Sequence, residues 1–334
     1  MNPNSPNPYA FPAKYTPEGI KEKRMITQNA TCIFAGILTW LLLRSLLPNI
    51  MYSGLGIFFT LIKFAPTPER TAIVRSVVDI IGTVLSLGVP FLVVMRIIDI
   101  PAKIALPFRK IRSGFNIGSL FIALGASTVA VYIGSFLASA FQSVGFSPSV
   151  PEFNMPTDVT TAILYFVSIV LVPAFLEEMV FRGIVLQPLR RFGDSFAIVI
   201  SAIIFSLAHL NIYQIPNAFV MGLILGYFVV RSGSLWAGII IHFANNFFVA
   251  LLEYIGTFVT NDAMYIMTVS LYVFYLAAGL ISLIITSRKQ KKLFMLYPAE
   301  CVLTSKERYQ CYFKCFSTIV LLIVLAILSL YHML

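Results

Sequence analysis

The chain has 334 residues, of which 58% are hydrophobic and only 11% are charged. Soluble globular domains carry about 25% charged residues, so this composition excludes a soluble protein and indicates a polytopic membrane protein. The formal net charge is +10. Basic loops that face anionic headgroups explain this charge, so we expect the lipid bilayer as a partner and no nucleic acid.

Apolar runs of membrane-crossing length divide the chain. Runs of about 17 to 25 residues predict an all-α fold, a polytopic transmembrane bundle of about eight or nine helices. The predicted parts are a polar tail (1–25), N-terminal transmembrane helices (26–150), a central part (151–260) and C-terminal helices with a basic cytoplasmic loop (261–334). The candidate spans lie near 28–49, 72–97, 115–141, 159–187, 195–211, 214–231, 234–256, 264–286 and 316–333.

The basic residues between the spans orient the bundle. Lys and Arg concentrate in cytoplasmic loops, and here they occur in alternate loops. We therefore expect an integral, multi-pass protein of the cell membrane with its N-terminus in the cytoplasm. The residues that predict this orientation are Lys21, Lys23, Arg24, Lys103, Arg109, Lys110, Arg112, Arg190, Arg191, Arg231, Lys289, Lys291, Lys292, Lys306, Arg308 and Lys314.

Two adjacent glutamates stand inside the fourth apolar segment. A charged carboxylate at the centre of a bilayer costs about 2.5 to 3.5 kcal/mol on insertion scales, so such residues usually serve a function. Glu178 and Arg182 are four residues apart, which places them on one helix face and predicts an ion pair. Glu177 points about 100° away around the helix. One carboxylate is then neutralised, and the other is available for chemistry.

Two of the three histidines also fall in apolar segments. His209 follows Phe205 by four residues, which places an aromatic ring one helical turn from the imidazole. His242 and Asn246 have the same spacing. From a rise of about 1.5 Å per residue, Glu177, His242 and His209 lie roughly 15, 12 and 21 Å from the cytoplasmic ends of their spans. These side chains could therefore meet in one buried Glu/His/Asn site.

The order and spacing of these residues resemble the signature of the CAAX prenyl protease and bacteriocin-processing family of intramembrane proteases. That signature reads Glu-Glu-x-x-x-Arg, then Phe-x-x-x-His, then His-x-x-x-Asn or Asp. Each pattern alone is weak, but three patterns in this order within apolar segments are specific. The resemblance covers roughly residues 155–256 and implies that 151–260 is the protease core. The patterns occur here at Glu177 to Arg182, Phe205 to His209, and His242 to Asn246.

The resemblance implies an intramembrane endopeptidase that hydrolyses a peptide bond of a membrane peptide or protein substrate. Glu177 would activate a water molecule with His209 beside it, while His242 and Asn246 would stabilise the oxyanion. Pre-placed donors in a low-dielectric site can contribute several kcal/mol to such stabilisation, which fits this division of roles. The supporting residues would be Glu178, Arg182 and Phe205.

The same residues leave two mechanisms open. Glu177, His209 and His242 form a His₂Glu set, which is the ligand type of several zinc hydrolases and leaves one position for water. A divalent metal such as Zn²⁺ is therefore one expectation. The His-Glu-x-x-His motif is absent, and a metal-free glutamate mechanism has also been proposed for the family. The sequence alone does not choose between these mechanisms.

Two other functions compete with the protease. A non-catalytic membrane scaffold, or a protein that provides self-immunity to a bacteriocin, could use the same fold. A transporter could use the buried Glu and His groups as a proton relay. The intact motifs favour the protease over the scaffold. The lack of an inverted repeat of broken apolar segments disfavours the transporter.

Overall fold

The computed structural model describes residues 15–111, 115–148, 156, 158–289, 295–298 and 300–333. The regular structure within these ranges is helical, which confirms the all-α transmembrane bundle. Most of the predicted N-terminal tail, together with Arg112, Lys291 and Lys292, lies outside the described residues. The helices are α1 (Pro17–Leu61), α2 (Pro68–Ile97), α3 (Ala102–Ala105), α4 (Ile117–Ser143), α5 (Val159–Phe192), α6 (Asp194–Leu207), α7 (Ile215–Ser232), α8 (Leu235–Gly256), α9 (Asn261–Lys289), α10 (Ser305–Phe313) and α11 (Phe316–Tyr331).

Side-chain caps set the first residues of several helices. Thr67 accepts a hydrogen bond from the Arg70 amide at the start of α2, and Asp158 accepts one from the Thr161 amide at the start of α5. Each cap satisfies a backbone N–H that would otherwise lack a partner, which typically contributes about 1 kcal/mol. Helix α7 ends at Gly233, whose φ of 69° is accessible to glycine at little cost.

Seven of the described helices are long and apolar enough to cross a membrane, or eight if the bent pair α10 and α11 is one span. They are α1, α2, α4, α5, α7, α8 and α9. The span predicted at 195–211 needs correction, because α6 has only 14 residues. At about 1.5 Å per residue it rises roughly 21 Å, less than the roughly 30 Å of a hydrocarbon core. The first helix also begins earlier than predicted, at Pro17.

Helices α6 and α7 form an antiparallel hairpin. Gly222 of α7 packs on Ala202 of α6, and a Cβ at Gly222 would lie 2.9 Å from the Cα and Cβ atoms of Ala202. One turn later, Gly226 packs on Ile198. Small residues permit such close helix contacts in membranes. The Gly-x-x-x-Gly spacing in α7 therefore serves helix packing, and the loop between α6 and α7 lies at the tip of this hairpin.

Aromatic side chains hold α5 between α2 and α6. The Phe181 ring centroid lies 6.4 Å from that of Phe91 on α2 and 5.1 Å from that of Phe205 on α6. All three rings are buried. Edge-on and tilted ring pairs at these separations add to the free energy gained from burial alone. This packing fixes the position of the α5 segment that carries the two glutamates.

The alternation of basic loops predicts that the two ends of α9 lie on opposite sides of the membrane. A reporter fused near Asp262 should be outside, and one fused after Lys292 should be in the cytoplasm. Helices α6 and α7 run antiparallel, so the start of α6 and the end of α7 lie at the same end of the hairpin, and this expectation is unchanged. Fusions to alkaline phosphatase and to a cytoplasmic fluorescent protein measure the two positions. Two fusions on the same side would contradict the orientation.

Candidate active site

The structure brings the predicted site residues to one cavity of about 450 Å³. Helix α5 contributes Glu177, and the loop after α6 contributes His209. Helix α8 contributes His242 and Asn246, while Phe205 of α6 forms part of the wall. Three separate segments of the chain therefore meet at a single concave site, and the cavity has the size typical of ligand-binding sites.

Glu178 and Arg182 form an ion pair within α5. Oε1 of Glu178 lies 2.9 Å from Nη1 of Arg182, and neither side chain has exposed surface. The Cζ atom of Arg182 also lies 4.1 Å from the ring centroid of Phe205. The turns from Glu178 onward are of the wider π type, but residues four apart remain neighbours. The ion pair predicted from the spacing is therefore present, and each charge depends on the other for compensation.

Glu178 also holds His242, a contact that the sequence did not predict. Nδ1 of His242 lies 3.0 Å from Oε1 of Glu178. A carboxylate can only accept a hydrogen bond, so Nδ1 carries the proton in this contact. A neutral His242 then has an acceptor at Nε2. With this proton on Nδ1, Nε2 of His242 can donate to an oxyanion only when the ring carries a second proton.

Gly238 allows α8 to approach the glutamate. It precedes His242 by one turn, and a Cβ at this position would lie 2.5 Å from Oε2 of Glu178 and 2.8 Å from Cγ2 of Val229. Both distances are shorter than a normal carbon contact. The contact between His242 and Glu178 therefore requires a residue without a side chain at position 238. The sequence analysis missed this glycine, although its spacing of four from His242 was visible.

Glu177 has a different environment from its neighbour. Its side chain is 23% exposed, and its Oε2 lies 3.9 Å from Nε2 of His242. That distance exceeds a hydrogen bond and suits two groups that share a water molecule. Glu177 also borders a second cavity of about 240 Å³, which extends to Trp40 and Arg44 of α1. The carboxylate that is not neutralised by Arg182 therefore faces open space.

His209 is positioned by the loop at the tip of the α6–α7 hairpin. Helix α6 ends at Leu207, and Leu210 has a left-handed backbone with φ of 58°. Nδ1 of His209 lies 2.8 Å from the carbonyl oxygen of Phe205. A carbonyl oxygen only accepts, so Nδ1 carries the proton and Nε2 is the acceptor of the neutral ring. The ring also packs edge-on against Phe205, with centroids 4.9 Å apart.

Asn246 compensates for a missing backbone hydrogen bond in α5. Pro173 has no N–H, so the carbonyl oxygen of Ile169 loses its usual partner four residues later. The chain has a π-type segment there, Val167–Leu171. Nδ2 of Asn246 lies 3.5 Å from the Ile169 oxygen, a long hydrogen bond. The amide of Asn246 is therefore only weakly held and lines the cavity.

Three further polar residues near the site were not singled out from the sequence. Oγ of Ser127 lies 2.8 Å from Oδ1 of Asn217 and 2.9 Å from Oδ1 of Asn245. Nδ2 of Asn245 in turn lies 3.3 Å from Oδ1 of Asn246. This network joins α4, α7 and α8. Asparagines within apolar spans were the available signal, because polar groups are costly there without partners.

The described side chains do not form the expected metal centre. Among residues in the described ranges, no three His, Cys, Asp or Glu side chains are grouped so that they could hold one ion. As arranged, Glu177, His209 and His242 therefore do not fit a His₂Glu centre.

A family model matches residues 159–248 of the chain. It describes the type II CAAX prenyl endopeptidase Rce1-like family. The match supports the resemblance of this segment to the CAAX prenyl protease and bacteriocin-processing family. No curated protein and no solved structure matches the chain significantly.

The CAAX-protease-like segment comprises α5, α6, α7 and most of α8, so it contains all three motifs. Helices outside the segment nevertheless reach the site. Helix α4 contributes Ser127 to the polar network, and α1 contributes Arg44 to the second cavity. The family segment therefore carries the motif residues, while the flanking helices complete the walls.

Loss of either member of the buried ion pair should destabilise the protein strongly. Arg182→Ala leaves the charge of Glu178 uncompensated, and Glu178→Ala does the same to Arg182, a change that typically costs about 3 to 5 kcal/mol. Glu177→Ala removes a partly exposed carboxylate whose nearest ion-pair partner is 3.9 Å away. It should therefore keep or raise the Tm. Thermal unfolding of the purified variants in detergent measures these differences.

Glu177→Ala is the matched control, because it makes the same substitution at the adjacent position. A lower Tm for Glu177→Ala than for Glu178→Ala would show that the two glutamates have the opposite roles.

Proposed function

We propose that the chain is an intramembrane endopeptidase in which Glu177 activates the hydrolytic water. The contrast between the two glutamates carries this proposal. Glu178 is fully buried and neutralised by Arg182, whereas Glu177 is partly exposed in the cavity and is not in a close ion pair. A general base must reach water and keep an accessible lone pair. Of the two adjacent carboxylates, only Glu177 satisfies both conditions.

The water would lie between Glu177 and the histidines. Oε2 of Glu177 and Nε2 of His242 are 3.9 Å apart, which leaves room for a water molecule that contacts both. The Nε2 atom of neutral His209 is a second acceptor on the same cavity. Glu177 takes one proton from the water while the water oxygen attacks the substrate carbonyl carbon. The same carboxyl group then returns the proton to the leaving amine, so the proton balance closes.

Oxyanion stabilisation is assigned chiefly to Asn246. Its Nδ2 group makes one long hydrogen bond, 3.5 Å to the Ile169 oxygen, so its second N–H can donate to a substrate carbonyl oxygen. When the ring of His242 carries both protons, its Nε2–H group is a second donor. The Nδ1–H group continues to donate to Glu178. Donors placed in advance in a site of low dielectric constant are worth more than the same donors in water.

Substitution of Glu177 by glutamine should abolish proteolysis while the fold is kept. The amide has nearly the same shape but cannot accept the proton, so the rate should fall by a factor of about 10² to 10⁴. Cleavage of prenylated and unprenylated quenched-fluorescence peptides in proteoliposomes measures the rate. Mass spectrometry of the products locates the cleaved bond.

Glu253→Gln is the matched control, because Glu253 is another carboxylate that lines the same cavity. It should keep its activity within a few-fold of the unmodified protein. Loss of activity in Glu253→Gln with full activity in Glu177→Gln would overturn the assignment. If the biological phenotype survives Glu177→Gln unchanged, the non-catalytic scaffold or bacteriocin self-immunity function is the better description.

Chelation distinguishes the two mechanisms that the sequence left open. In the proposed mechanism the acid-base and donor groups all belong to the chain, so activity should survive dialysis against a chelator of divalent ions. Elemental analysis of the purified protein before and after dialysis is the matching measurement. A stoichiometric divalent ion whose removal abolishes activity, and whose return restores it, would favour the metalloprotease mechanism with Glu177, His209 and His242 rearranged as ligands.

A further inference from the structure

A basic cavity of about 380 Å³ lies apart from the candidate active site. It forms where the segment after α2, the end of α5 and the end of α7 meet. Four cationic side chains line it, and no carboxylate does. The polar lining residues are Lys103, Arg109, Gln187, Arg190, Arg231 and Tyr297.

The positive charge of the basic cavity is largely uncompensated. Arg190 pairs with Asp194, with Nε and Oδ1 2.7 Å apart. Within the described ranges, the other three cationic side chains have no acidic partner within 4 Å. The Nε atom of Arg231 is buried and has no hydrogen-bond partner there. A net charge of about three therefore lines one partly open cavity, which favours a multiply charged anion.

The wall of the basic cavity is formed in advance by backbone contacts. The Leu235 amide donates to the carbonyl oxygen of Pro107 at 3.1 Å. The Ser234 hydroxyl donates to the carbonyl oxygen of Arg109. These bonds hold the segment after α3 against the start of α8. The backbone that carries Arg109 is therefore in place before any ligand binds, and an anion would relieve the repulsion between the cationic side chains.

We propose that the basic cavity binds a phosphate-bearing anion, either a lipid headgroup or a soluble phosphate ester. Three of the four cations are arginines, whose guanidinium groups bind phosphate oxygens in a bidentate manner. The four cations follow the second, fourth and sixth predicted spans, so the cavity opens on the predicted cytoplasmic face, where anionic headgroups lie. Its charge of about three suits a phosphate dianion better than a single carboxylate.

Thermal unfolding of the full chain in a neutral detergent tests this proposal. The probes are dihexanoyl phosphatidic acid, dihexanoyl phosphatidylcholine and glycerol 3-phosphate. Phosphatidic acid should raise the Tm in a dose-dependent manner, and salt should weaken the effect. The variant Lys103→Gln/Arg109→Gln removes two exposed charges and should shift the half-maximal probe concentration at least tenfold. Arg231→Gln, on a different helix, should shift it in the same direction.

The double variant Lys21→Gln/Arg24→Gln is the matched control, because it removes two exposed charges from the start of α1 on the same predicted face. Its half-maximal concentration should stay within twofold. If the half-maximal concentration rises equally in both double variants, the effect is one of general surface charge and the proposal is overturned. The proposal is also overturned if no anionic probe raises the Tm.

The two probe classes identify the source of the phosphate. If glycerol 3-phosphate stabilises the protein as effectively as phosphatidic acid, the ligand is a soluble phosphate ester. If only phosphatidic acid acts, and phosphatidylcholine does not, the ligand is an anionic lipid headgroup.

Discussion

A fully buried ion pair constrains the whole candidate site. Glu178 and Arg182 are both fully buried, so each must stay beside the other or leave a charge stranded in an apolar interior. The same carboxylate oxygen binds His242, which ties α5 to α8. That link is possible because Gly238 has no side chain to separate the helices. The position of His242 on α8 therefore depends on an ion pair within α5.

Glu178 is paired with Arg182, while its neighbour Glu177 remains outside that ion pair. Adjacent residues on a helix point in different directions, so one carboxylate can be neutralised inside the bundle while the other reaches a cavity. The local helix is of the wide π type, a form that is often found at functional sites. A second π-type segment, Val167–Leu171, lies earlier in α5, where the missing N–H of Pro173 leaves the Ile169 oxygen to Asn246. Backbone irregularity and side-chain placement are thus coupled along α5.

The α6–α7 hairpin contributes residues to both the candidate active site and the basic cavity. Its tip carries His209 to the candidate active site, since α6 is too short to cross the bilayer. Its other end brings Arg231, at the end of α7, close to Arg190, just before α6. The close packing of Gly222 on Ala202 keeps the two arms of the hairpin together. One short unit therefore contributes to a buried polar site and to a basic surface cavity.

The sequence by itself determined the membrane class, most of the helices, the Glu178–Arg182 pair and the family of residues 159–248, because these follow from composition, helical spacing and ordered motifs. It did not show that α6 is too short to span, since an apolar run continues past Leu207 while the backbone turns. Only the tertiary structure decided that His242 binds Glu178, that Gly238 allows this contact and that basic residues from three distant parts of the chain line one cavity. These features depend on contacts between residues far apart in the chain, and periodicity along a single segment carries no information about such contacts.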